Sequence, residues 1–112
     1  MKLRKMPSMK GKSRYLFFSV MADGRLGYPE VKGAILNSLE NWMGDKEFGR
    51  ARIWVIRNLW NQSDLSGVIK CSHKSVDDIK VGLGLIHQIG DSRVIFRTTR
   101  VSGTLKAGSK KR

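Results

Sequence analysis

Ser66–Gly90, SGVIKCSHKSVDDIKVGLGLIHQIG, reads as a short strand feeding directly into a helix. Ser66–Ser72 is β-prone and runs into the polar pair His73-Lys74. Ser75 with Asp78 three residues later is a capping box, which opens a helix. Val76, Ile79, Leu83 and Ile86 then fall on one helical face, and Val81, Leu85 and Ile89 widen it. A stripe that wide suits a helix lying on a sheet. Gly90 ends the helix. Gly82 and Gly84 sit inside it at a cost of roughly 1 kcal/mol each relative to alanine, a cost that close packing of helix on sheet would offset.

Upstream, Ala51–Trp60 (ARIWVIRNLW) is β-prone and Asn61–Leu65 is a turn, so this segment pairs with Ser66–Ser72 as an antiparallel hairpin. Before it, Pro29 suits the first position of a helix and Glu30 suits its positive end. Val31, Ala34, Ile35, Leu39 and Trp42 continue at helical spacing, and Gly44 is a natural stop, which places a first helix over Pro29–Met43 with Trp42 on its buried face. Arg14–Met21 (RYLFFSVM) is a strand with Tyr15 and Phe17 on one side and Phe18 on the other. Ala22–Tyr28 is a loop. Downstream, Arg93–Thr99 (RVIFRTT) is the last strand.

The order strand, helix, strand, strand, helix, strand predicts an α+β two-layer sandwich, ferredoxin-like or RNA-recognition-motif-like. It has a four-stranded antiparallel sheet with both helices on one face. The expected organisation is a basic N-terminal arm over 1–13, one domain over 14–106 and a basic tail over 107–112.

Charge is distributed unevenly. The 22 Lys and Arg outnumber the 9 Asp and Glu, for a formal net charge of +13. Met1–Arg14 holds six basic residues and no acid, Arg93–Arg112 holds seven and no acid, and Tyr15–Ser92 is neutral. If the chain ends lie close together, as domain termini often do, they make one surface that attracts polyanions. The competing reading is a pair of solvated, solubilising tails.

Several functions find no support in the residues. Cys71 is the only cysteine, too few for a disulfide framework or a cysteine zinc site, and an intracellular chain is expected. No apolar run approaches a membrane span, and none follows the basic start in the manner of a signal peptide. His73 and His87 have no companions at ligand spacing, so no metal site is expected. Asp77 and Asp78 serve a helix start. The glycines of VGLGLIHQIG lie within a helix rather than opening one, so they do not form a dinucleotide fingerprint. With no nucleophile–base pair, catalysis by this chain alone is not expected.

The fold invites base stacking on exposed aromatics of the first and third strands, but SGVIKCS carries no aromatic. Trp54 and Trp60 fall on the same side of the second strand. Facing away from the helices they would form a protein interface; facing the helices they would cover the core. RVIFRTTRVSGTLK, Arg93–Lys106, is rich in phosphate-binding groups: Arg97 and Arg100 as guanidinium forks, Ser102 and Thr104 as hydroxyls, and a Gly103 turn with backbone donors. The alternative is an ordinary edge strand with charges facing water.

At this point the sequence resembles the archaeal and eukaryotic ribonuclease P protein component 2 family. The resemblance rests on RVIFRTTRVSGTLK, on the opening MKLRKMPSMKGKSRYLFFSV and on GVIKCSHKSVDDIKVGLGLI, and it spans Met1–Lys106. Gly82 and Gly84 depart from the alanines frequent in the family. The resemblance implies an RNA-recognition-motif-like sandwich inside a ribonucleoprotein that removes the 5′ leader of precursor tRNA. It implies catalysis by the RNA subunit with its magnesium ions, and a partner, ribonuclease P protein component 3, in a heterotetramer. The alternative is another structural RNA-binding protein, of ribonuclease MRP or the ribosome. The compact length suggests an archaeal source and a cytoplasmic location, nuclear or nucleolar if eukaryotic. The expected RNA-binding residues are Lys10, Lys12, Arg14, Arg97, Arg100, Ser102, Thr104 and Lys106.

Overall fold

In the computed structural model, which describes residues 12–105, the chain runs β1 (Ser13–Ala22), α1 (Tyr28–Ala51), β2 (Trp54–Val55), β3 (Ser66–Ser72), α2 (Val76–Gly84), β4 (Gln88–Ile89) and β5 (Ser92–Ser102). The strands form one antiparallel sheet in the order β2-β3-β1-β5-β4. The fold is α+β with two helices, as expected, but has five strands rather than four. The additional strand is β4, a two-residue piece that Gly90 (φ 58°) turns back onto β5.

Alternation along β1 builds the core. Leu16, Phe18 and Val20 point to the same side as Ile69 and Cys71 of β3 and Val94 and Phe96 of β5. Val31, Ile35 and Leu39 of α1 and Ile79 and Leu83 of α2 close over them. Each such buried aliphatic contributes about 1.5–3 kcal/mol. Phe18 stacks on Phe96 at 5.9 Å between centroids. The α1 start follows its sequence signals: Pro29 lies in the first turn, and the Gly27 N–H donates to Glu30 Oε1 at 3.0 Å.

Several expectations are corrected. Gly44 does break the first helix (φ 83°, ψ 161°), yet helical structure resumes and carries α1 to Ala51, whose side chain is fully buried. The β-prone segment Ala51–Trp60 therefore begins as helix, gives only two strand residues, and turns through a 3₁₀ turn at Arg57–Leu59. Trp54 and Trp60 accordingly do not line one side of a continuous strand. Trp42 is 47% exposed, because the stripe that reaches the core runs Val31-Ile35-Leu39 and on to Met43, which leaves Trp42 beside it.

The second helix is also shorter than its periodicity suggests. It ends at Gly84 instead of running to Gly90, and Val81 and Leu85 are exposed. Ser75 makes no side-chain cap; Ser72 Oγ instead accepts from the Lys74 N–H at 3.3 Å. Gly82 is required by packing against α1 rather than against the sheet. A β-carbon there would run into Leu39, and its carbonyl accepts from Ser38 Oγ at 2.8 Å.

Candidate nucleic-acid interface

Charge separates by element. The five strands carry Arg14, Lys70, Arg93, Arg97 and Arg100 and no acid. All nine acids lie on helices and connections, with four on α1 and two on α2. Uncompensated cations on one layer and acids on the other orient a polyanion toward the sheet.

The sheet side facing away from the helices is defined by register. Residues directly opposite in a ladder share a face. Phe17 alternates with the core residues Leu16 and Phe18, and it pairs with Val68 on β3 and Arg100 on β5. One row is therefore Val68-Phe17-Arg100. The next is Ser66-Ser19-Arg97. On the same face, beyond the Phe17 row, lies a row drawn from four strands, Trp54-Lys70-Tyr15-Ser102.

A bulge makes this arrangement possible. Between Phe17 and Phe18 the pairing with β5 shifts, so that Phe17 faces Arg100 and Phe18 faces Thr98, leaving Thr99 as the extra residue. Thr99 Oγ1 donates to the Phe17 carbonyl at 3.2 Å, holding the bulge. Arg97 is exposed. Arg100 is half-buried, and among the described residues its buried Nε has no hydrogen-bond partner.

The other expected residues fall in different places. Lys12 is exposed ahead of β1, and its carbonyl accepts from the His73 N–H at 2.9 Å, tying the entry of β1 to the turn after β3. Arg14 pairs across from the core residue Cys71, so it lies on the helix side of β1, away from Arg97 and Arg100. It donates to the Ser13 carbonyl at 2.8 Å. Ser102 Oγ accepts from the Thr104 N–H at 3.2 Å and donates to the Thr104 carbonyl at 2.7 Å, so the hydroxyl shapes the Gly103 turn. Lys10 and Lys106 lie outside the described residues. Trp54 is 56% exposed, whereas Trp60 packs on the core, 6.4 Å from Phe18 and 6.0 Å from Tyr28.

Sequence reasoning missed Lys70 and Arg93. Alternation in SGVIKCS would have put Lys70 opposite in facing to Ile69 and Cys71, but its placement beside Tyr15 and Trp54 exists only once strands are paired. Arg93 is exposed at the far end of β5, where its N–H donates to Asp23 Oδ1 at 2.9 Å.

Chemistry by the side chains is limited. Burial pushes the Cys71 thiol up to about 11, against the opposing pull of the Arg14 charge. Among the described residues no three His, Cys, Asp or Glu side chains converge to hold a metal ion, and no described helix is long and apolar enough to cross a membrane. The arrangement can bind an anionic polymer.

Comparison with known proteins gives a consistent picture. The model of the Rpp14/Pop5 family matches residues 14–111. The chain is 30% identical over 112 residues to ribonuclease P protein component 2 of Pyrococcus abyssi, covering 99% of this chain and 93% of that protein. It is 29% identical over 100 residues to the protein of the same name from Pyrococcus furiosus, covering 89% and 82%. Among solved structures, a chain in the cryo-EM structure of yeast ribonuclease MRP superposes with a TM-score of 0.64 at 11% identity, over 88% of this chain and 79% of that one. That last likeness speaks to the fold.

Proposed function

The chain belongs to the Rpp14/Pop5 family, and on that premise we propose that it is a non-catalytic protein subunit of ribonuclease P, binding and stabilising the catalytic RNA that removes the 5′ leader from precursor tRNA. The observation that carries the reading is the acid-free sheet, on which Arg97 and Arg100 share one face with Lys70. Guanidinium forks bind phosphate oxygens bidentately. Among the described residues the buried Nε of Arg100 has no partner, which costs about 1–3 kcal/mol in the free protein. Neutralising closely packed phosphates relieves their mutual repulsion and lets the RNA fold at lower magnesium.

On this reading the magnesium ions belong to the RNA, and precursor tRNA is met within the holoenzyme. The two-layer arrangement, with β5-β1-β3-β2 as its main strand order, supports a ferredoxin-like, RNA-recognition-motif-like sandwich. Lys12, and Lys10 and Lys106 beyond the described residues, would extend the phosphate contacts. The archaeal sources of the relatives support an archaeal chain, and on this reading it would act in the cytoplasm.

The partner on this reading is ribonuclease P protein component 3, in a heterotetramer. The helix side supports a protein contact there, since it carries acids together with exposed Trp42, Val81 and Leu85. Trp42 and Leu85 line a groove of about 440 Å³ with Ala34, Ser38 and His87. The Trp42 Nε1–H donates to Asp78 Oδ1 at 3.3 Å.

The test is reconstitution. Single-turnover cleavage of a precursor tRNA by the RNA and component 3 at low magnesium should accelerate when this chain is added, with an unchanged cleavage site. No acceleration with a competent RNA and partner would refute the reading.

A further inference from the structure

We infer that Trp54 and Tyr15, with Lys70 between them, form a stacking platform for unpaired nucleotides, so that this face of the sheet reads single-stranded rather than duplex RNA. The inference rests on the RNA-binding reading above and adds to it the class of RNA contacted.

Trp54 stands directly across from Lys70, and Lys70 directly across from Tyr15. Neighbouring strands lie roughly 4.8 Å apart, so the backbone positions of Trp54 and Tyr15 are about 10 Å apart, with that of Lys70 between them. Aromatic faces flanking a cation match the repeating base-and-phosphate pattern of an unpaired strand. They do not match a duplex, whose bases are stacked inside and which offers only edges, hydroxyls and phosphates.

The three tryptophans differ in how they are used. Trp60 packs on the core and donates to Gln62 Oε1 at 2.9 Å. Trp42 donates to Asp78. Trp54 is 56% exposed and, among the described residues, makes no ring contact or indole hydrogen bond. Its strand is two residues long, enough to fix the ring in register with Lys70. β3 lacks an aromatic of its own, and β2 supplies one beside it. The face that bears Trp54 also bears Arg97 and Arg100 and no strand acid, which favours RNA over an apolar protein surface.

The test uses the full chain and two probes of equal length, a single-stranded oligouridylate and an RNA duplex, at one low salt concentration. Binding is read by anisotropy and by tryptophan quenching. Wild type should bind the single strand with quenching. Trp54→Leu, which keeps apolar bulk but removes the π face, should weaken single-strand binding about 5- to 140-fold and leave duplex binding unchanged. Trp54→Phe should retain most of the affinity. Circular dichroism and Tm check that each variant folds; should Trp54→Leu fail to, Tyr15→Leu against Tyr15→Phe poses the same question. Equal single-strand affinity for Trp54→Leu and wild type overturns the platform while leaving phosphate binding intact. A Trp54→Leu protein that no longer binds component 3 but keeps RNA also overturns it, making Trp54 part of a protein interface. Failure of wild type to bind either RNA removes the RNA-binding reading itself.

Discussion

Arg97 and Arg100 lie on the same face of β5 although they are three residues apart, a spacing that regular alternation would send to opposite faces. The extra residue at Thr99 resets the alternation, so Arg97 stands beside Ser19 and Arg100 beside Phe17, two neighbours on one side of β1. A strand that merely kept its charges in water would need no such device.

Replacing both arginines with alanine should lower the slope of log affinity against log salt by about 0.7–0.9 for each phosphate that is no longer neutralised. The fold should be unaffected, since Arg97 is exposed and removing Arg100 also removes an unpaired buried donor. Anisotropy titrations across a salt series measure the slope. An unchanged slope would show that neither residue touches phosphate.

The two glycines of α2 should respond in opposite directions. Gly82→Ala drives a methyl into Leu39 and should destabilise by about 1–3 kcal/mol. Gly84 has open space around its would-be β-carbon, so Gly84→Ala should stabilise by about 0.5–1 kcal/mol through helix propensity. Urea unfolding of the two variants decides it, and equal shifts would contradict the packing described.

Cys71 gives a pH dependence. Burial raises its folded-state value from 9.0 to about 11. Between those limits the unfolded chain has lost the thiol proton and the folded chain keeps it, so stability falls as pH rises through this window. Below it the contribution is constant. Cys71→Ala should show a shallower fall from pH 9 to pH 11 in urea midpoint than wild type; parallel curves would count against a buried neutral thiol.

On the helix side, Leu85→Ser should weaken association with component 3 without altering the RNA salt slope. Leu85 is 52% exposed, so the monomer has little to lose. Light scattering of the mixed proteins gives both the affinity and the mass expected of a heterotetramer.

Much of this was legible in the chain itself. Strand β1, the helix start at Pro29, the break at Gly44 and the basic character of β5 all follow from local residue chemistry. What depended on pairing was not. Thr99 looks like any strand threonine until β1 sets the register, and Lys70 becomes a neighbour of Tyr15 and Trp54 only in the sheet. Trp42 and Leu85 sit beside Met43 and Ile86, which reach the core while they do not, so periodicity alone overstates the buried face. Ala51–Trp60 misleads for a related reason: Ala51 is claimed by the helix core and Trp60 by Phe18 and Tyr28, which leaves only Trp54 and Val55 to the sheet.

The central claim is that the arginine face of β5 acts on the catalytic RNA. Its most direct test is single-turnover precursor tRNA cleavage at low magnesium by the RNA, component 3 and the Arg97→Ala/Arg100→Ala protein. The account predicts that the double variant, though folded and still bound to component 3, loses most of the acceleration that wild type gives and regains it as magnesium is raised. Full acceleration by the double variant at low magnesium would contradict it.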